Sequence, residues 1–285
     1  MKKIIITFSV LMSVLDISAQ KANGEIRRIQ QHETKVITRK EKPSVQRHKT
    51  SKKNTLKENQ SREEEAQLYI KQDQEKKGYY LVNNVHFQMI PIPSGKFAKG
   101  KDSTAHEVTI PSFFIGKTEV TQELWVAVMG TNPSKFIGKQ RPVECVSWDD
   151  CLDFIHKLNL LTGKNFRLPT ETEWEFAASG GIYGKGYQYA GSNTISNVAW
   201  YNENSMNDKH HEVATKSSNE LGLYDMSGNV WEWCADKSTE NSSTPNNRIC
   251  RGGAWIDDAM SCSIVSCSNY PQSYRGRILG FRLAL

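Results

Sequence analysis

Gly222-Leu-Tyr-Asp-Met-Ser-Gly-Asn-Val-Trp-Glu-Trp-Cys234 is the stretch from which the fold is read. It sets two acids, Asp225 and Glu232, on either side of a Gly228-Asn229 pair and follows the turn with two tryptophans. Glycine accepts positive φ without a steric cost and asparagine is the next most tolerant residue, so Gly228-Asn229 predicts a tight turn. Alternation beyond it places Val230, Glu232 and Cys234 on one face of a strand and Trp231 and Trp233 on the other. Two carboxylates beside a turn that frees backbone carbonyls are what a hard cation such as Ca²⁺ requires. An ordinary turn and strand with buried tryptophans accounts for the same composition.

Working outward, the 285 residues divide by charge. Residues 21–77 carry 16 Lys or Arg against 9 Asp or Glu, whereas residues 78–285 carry 19 against 21, so the overall +6 belongs to the leading segment. That segment has one aromatic residue, Tyr69, and too few aliphatic side chains to offset its ordering entropy, which predicts a disordered basic linker over 21–60. From Ser61 an acid-rich run predicts a short capped helix. Mixed charge and the absence of interleaved aromatics exclude specific nucleic-acid binding as its role. At the start of the chain, Lys2-Lys3, an apolar run from Ile4 to Leu15 and small residues up to Ala19 predict a secretory signal peptide over 1–20. The run is too short to span a membrane, and no later stretch qualifies. Export to the periplasm, the cell envelope or the medium follows, and it makes the six cysteines candidates for disulfides. None forms a CxxC pair, so a zinc ribbon is excluded.

Between Tyr79 and Ser179 the punctuation is regular. Strands are predicted over 85–93, 106–111 and 113–117, with Ser94-Gly95 as a turn. Thr121 and Gly130 bracket a helix, Ser147 and Gly163 a second with Leu152, Ile155, Leu158 and Leu160 on its apolar face, and Thr170 with Glu173 opens a third as a capping box. Beyond Ser179 glycines and aromatics dominate, which predicts a loop-rich half, closed by strands at 251–255 and 279–285.

Taken together, Met89-Ile-Pro-Ile-Pro-Ser-Gly-Lys-Phe97, Gly116-Lys-Thr-Glu-Val-Thr-Gln122, Pro142-Val-Glu-Cys-Val-Ser-Trp-Asp-Asp150, Phe166-Arg-Leu-Pro-Thr-Glu-Thr-Glu-Trp-Glu-Phe-Ala-Ala178, the opening stretch, Arg251-Gly-Gly-Ala-Trp255 and Gly280-Phe-Arg-Leu-Ala284 resemble the sulfatase-modifying-factor, or formylglycine-generating enzyme, family. The resemblance runs from about Phe87 to Leu285, and the domain is taken as residues 78–285. It implies an α+β, C-type-lectin-like variant, loop-rich, with a short antiparallel sheet and two to three helices. It also implies a calcium site made by the side chains of Asp225 and Glu232 with the carbonyls of Gly228 and Val230, and a second at Asn197 and Val198 that lacks a clear acidic ligand. Family enzymes oxidise a sulfatase cysteine to formylglycine with O₂ and a Cu(I) held by two thiolates, the soft ligands that select that ion. Those cysteines fall four and nine positions after the Gly-Gly pair, where this chain has Asp257 and Cys262. A carboxylate is a hard ligand and does not replace a thiolate on Cu(I). The serine that follows Gly-Gly in the family is Ala254 here, while Trp231 matches the family's active-site tryptophan.

Two expectations follow. In the first, the exported domain is a non-oxidising, calcium-stabilised scaffold that binds a protein or glycan ligand in the cell envelope. Its site would draw on Trp231, Trp255, Asp257, Asp258, Ser263, Asn269, Tyr270, Tyr274 and Arg275. In the second, an oxidase with altered copper ligation acts on a sulfatase through Cys262. Cys262 is otherwise expected in a disulfide with Cys234, with Cys250–Cys267 and Cys145–Cys151 completing the set. His210-His211, an adjacent imidazole pair in a loop, reads as solvated.

Overall fold

The structure, a computed structural model, describes residues 74–100, 105–205, 209–238 and 246–285 together with positions 64, 68, 71 and 72. The predicted leader and nearly all of the basic arm lie outside the described residues. Among those described, no helix is long and apolar enough to cross a membrane.

β1 (Tyr79–Val82) and β2 (Val85–Ile92) form a hairpin in which Val82 faces Val85. Its two linking residues, Asn83 and Asn84, sit at φ 46° and 66°, the left-handed geometry that matches the twist of paired strands. β2 pairs on its other side with β5 (Phe113–Gly116). Pro91 falls beyond the β1 pairing, where the strand has one neighbour and a missing N–H is tolerated. β3 (Gly95–Lys99) and β4 (His106–Ile110) make a separate ladder. Gly95, expected in a turn, is the first residue of β3; a Cβ there would lie 2.4 Å from the Ile182 side chain, so close packing explains the glycine.

The three helices predicted between Thr121 and Ala178 are present, and the start of the one predicted from Ser61 lies largely outside the described residues. α1 (Gln122–Met129) starts where Thr121 Oγ1 accepts from Leu124 N at 3.2 Å and stops at Gly130, φ 81°. α2 (Trp148–Thr162) and α3 (Glu171–Ala178) each open with a reciprocal capping box, Ser147 with Asp150 and Thr170 with Glu173. The buried stripe of α2 is Cys151, Phe154, Ile155 and Leu158, while Leu152 and Leu160 are exposed, a rotation of the expected face. Phe154 stacks on Trp125 of α1 at 5.1 Å and meets Phe281 edge-on at 5.4 Å, which joins both helices to the C-terminal half.

The last sheet runs β8 (Cys267–Pro271), β7 (Asn247–Arg251), β6 (Trp231–Lys237) and β9 (Leu279–Gly280), with β9 parallel to β6 and the other pairs antiparallel. The first four residues of β6 are all buried, so alternation separates two cores rather than core from solvent. Trp231 and Trp233 enter the cluster around Phe154 and Phe281, and Cys234 enters that around Trp174 and Phe176. The strand expected at 251–255 ends at Arg251, because Gly252 and Gly253 turn the chain at φ 99° and 76°. The strand expected at 279–285 keeps two ladder residues, and single bridges from Ala284 to Ile115 and to Arg167 hold the remainder. The architecture is the expected loop-rich α+β arrangement.

Candidate functional site

At the Gly228-Asn229 turn three carboxylates meet one guanidinium. Glu119, Asp225 and Glu232 are buried, as is Arg282. Arg282 grips Glu232 with two bonds of 2.6 Å, from Nε to Oε2 and from Nη2 to Oε1, and donates to the carbonyls of Gly116 and Tyr224. Trp174 Nε1 donates to Glu232 Oε2 at 2.7 Å. Glu119 accepts from Asn229 Nδ2 at 2.8 Å and from Val230 N at 3.2 Å, and Asp225 Oδ2 accepts from Ala214 N at 2.7 Å. The turn that brings them together is left-handed at Asp225 (φ 58°), Gly228 (φ 76°) and Asn229 (φ 64°). A Cβ at Gly228 would lie 2.2 Å from the Trp200 carbonyl oxygen, so only glycine fits.

Three acids against one base leave this centre short of positive charge. Burial, then Asp225 and Glu232, push the Glu119 carboxyl well above the usual range, and burial pushes Asp225 up to about 6. A bound cation would relieve the same deficit without protons. Hard oxygen donors suit Ca²⁺. Asp225, the Gly228 and Val230 carbonyls and Glu232 would hold it, with the Glu232 carboxylate shared with Arg282 and Trp174. Among the described residues no three His, Cys, Asp or Glu side chains converge as a metal cluster, so such a site depends on those carbonyls. Glu119 is absent from the set read from the sequence; the signal available was its place in Gly116-Lys-Thr-Glu-Val-Thr-Gln122.

The second predicted cation site looks different. Asn197 ends a short 3₁₀ turn (Ile195–Asn197), and its carbonyl accepts from Ser217 N at 3.0 Å. Lys216 Nζ already donates to the neighbouring Ser196 carbonyl at 2.8 Å, and its ammonium lies 4.0 Å over the Trp200 ring. Val198 is buried.

The predicted ligand residues divide between two places. Trp231, Trp255, Cys262 and Ser263 are buried. Asp257 Oδ2 accepts from Trp231 Nε1 at 2.7 Å and from Ala254 N at 2.9 Å, and burial raises its pKa. Cys262 lies beneath, its Sγ 3.9 Å from the Ala254 carbonyl oxygen, and burial followed by Asp257 and Asp258 pushes the thiol up to about 12. Asp258 is exposed and caps the amide of Ser261. On β8 and the loop after it, Asn269 accepts from Asn247 Nδ2, Tyr270 stacks on Tyr274 at 4.7 Å, and Arg275 makes a paired bond to Asp150. A cleft of about 350 Å³ is lined by none of these residues; it lies on the Glu119 side, between Phe87, Lys117, Val120, Ala214 and Leu283.

None of the six cysteines is in a disulfide, which overturns all three expected pairs. Cys234 packs in the Trp174 core, whereas Cys262 sits under Gly253. Cys267 pairs in register with Arg251 and Ser268 with Cys250, so strand alternation turns the Cys250 and Cys267 side chains to opposite faces. Cys151 is in the core beneath α2, whereas Cys145 is half-buried at a left-handed φ of 60°. His210 is not solvated either: it is fully buried, Nε2 3.5 Å from Glu144 Oε1. His211 stacks on Trp200 at 3.7 Å and donates its amide to Asn229, which ties this loop to the turn.

The description "sulfatase-modifying factor enzyme 1-like domain" matches residues 82–285. The chain belongs to that family. Among relatives of this sulfatase-modifying-factor domain, a protein named chaperone protein LppX from Paenibacillus barcinonensis is 35% identical over 245 residues, covering 67% of this chain and 85% of that one. An inactive C-alpha-formylglycine-generating enzyme 2 from Bos taurus is 36% identical over 158 residues, half of each chain. Among solved structures, Treponema denticola variable protein 1 aligns at a TM-score of 0.65 and 35% identity, covering 72% of this chain and 97% of its own. The Treponema denticola protein shares the fold.

Proposed function

We propose that this domain is an exported, non-oxidising binding scaffold, stabilised by Ca²⁺ at the Asp225–Glu232 turn, that engages a protein or glycan ligand in the cell envelope. The observation that carries the reading is the state of Asp257. Where the oxidases place a copper thiolate, this chain has a carboxylate already committed to Trp231 and Ala254, and Cys262 is left as a lone buried thiol whose raised pKa disfavours the thiolate. The donor set does not fit Cu(I), so no oxidative step is assigned to it. Relatives named as a chaperone, as an inactive enzyme and as a variable protein support a role in binding. Export is supported by Lys2-Lys3 and the apolar run that follows.

The test is aerobic incubation of the purified, Cu(I)-supplemented protein with a sulfatase-derived cysteine peptide. Mass spectrometry should find no aldehyde product. Turnover to formylglycine would establish the oxidase and remove the scaffold reading.

A further inference from the structure

We infer that Asp257 is a clasp, a positioning residue that shuts the thiol pocket of this fold from within, an inference that rests on the non-oxidising reading. Through it three separate segments meet. Its Oδ2 accepts from Trp231 Nε1 on β6 at 2.7 Å and from Ala254 N, in the turn after β7, at 2.9 Å. Its amide donates to the Ala254 carbonyl at 2.9 Å, and its own carbonyl accepts from Asn202 N at 3.0 Å. A carboxylate oxygen can take two such donors at once, which a thiol, a weak acceptor, does poorly.

The consequence lies directly beneath. Cys262 has no exposed surface, and a Cβ on Gly253 would come within 2.7 Å of its sulfur, so backbone closes over the thiol. Tyr189 and Tyr201, each 6% exposed, are themselves buried, and burial raises the pKa of both. The space above Cys262 is therefore filled by protein groups that satisfy one another. The loss of the first copper cysteine in this chain is a replacement with its own structural role.

Thiol accessibility tests the clasp. In a Cys267→Ser background, Cys262 is the one thiol in the tryptic peptide 252–275, and maleimide labelling at pH 8 can be followed there by mass spectrometry. The native pocket should label at least about 1000-fold more slowly than free N-acetylcysteine, as burial and a suppressed thiolate both require. Asp257→Ala should speed Cys262 labelling at least about tenfold relative to Cys250, while Asp257→Asn, whose amide oxygen can accept both bonds, should stay within about threefold of the parent. Equal protection in the parent and Asp257→Ala overturns the clasp, as does an Asn variant as open as the Ala variant. If Asp257→Ala also exposes Cys250, it has unfolded, and Trp231→Phe decides: losing one donor should raise Cys262 labelling several-fold, and no change sinks the inference. A parallel chelator competition separates the two proposals. Tight Cu(I) binding by the unsubstituted protein defeats the non-oxidising reading, whereas unaltered protection without copper defeats the clasp alone.

Discussion

The acidic centre at the Gly228-Asn229 turn and the pocket over Cys262 contrast in how they are satisfied. The first is fully buried, the second is a half-buried carboxylate over a buried thiol, and Trp231 and Glu232 of β6 project one into each. At the first, three carboxylates have one guanidinium near them, which bonds Glu232 alone among them, and the other two are pushed toward protonation. At the second, a single carboxylate receives two good donors and covers a thiol held neutral. The first is a site in want of positive charge; the second is complete. The two can differ so far because they draw on opposite sides of one strand.

Arg282→Met would break this contrast most severely. It removes the sole base from the acidic centre and leaves Glu232 buried without its partner, a loss of about 3–5 kcal/mol or no folded protein, read by urea denaturation. A stable variant with an unchanged midpoint would mean that the centre is not organised by charge. Removal of Ca²⁺ should come next in size. At ligand concentrations of about 100 times Kd, binding adds about 2.7 kcal/mol, so chelator should lower Tm by several degrees in the parent and not in Asp225→Ala. Identical melts with and without chelator would leave the centre to protons alone.

A smaller effect lies in the loop that ties the centre to its surroundings. Burial, then Arg141 and His210, push His211 down to about 4 from 6.5, so its neutral form is favoured on folding. Stability from this group is fully present above pH 6.5 and is lost as pH falls toward 4. His211→Phe, which preserves the stack on Trp200, should flatten that slope in melts taken between pH 7 and 4; a slope as steep as the parent's would move the effect elsewhere. Smallest of all is Arg275→Ala. The Arg275–Asp150 pair is largely exposed, and its removal should cost less than about 1 kcal/mol while leaving the 262 pocket closed.

Local rules written in single residues were readable. Thr121, Ser147 and Thr170 cap helices because their hydroxyls face the free amides, and Gly130 and Gly163 stop them at positive φ. The Gly228-Asn229 turn was readable for the same reason. What escaped depends on tertiary neighbours. Gly95 resembles a turn residue until Ile182 is seen against it, and Leu160 fits an apolar face whose partner lies instead beside Cys151 and Phe154. Six cysteines and an expected export signal suggested bridges, but register and core membership separate the proposed partners. In the acidic centre, Glu119 joins Asn229 across 110 residues of sequence, a distance at which no local pattern speaks.

That reach also bears on the order in which the molecule can be assembled. A chain threaded N-terminus first presents Glu119, Asp225 and Glu232 well before Arg282 follows, and β9, which docks beside Trp231, arrives in the same late segment. Until then Glu232 has Trp174 to bond, Asp225 the Ala214 amide and Glu119 Asn229, but none of them has its counter-charge. Final closure of the domain thus waits on a short piece of chain that carries the counter-charge and the parallel strand together.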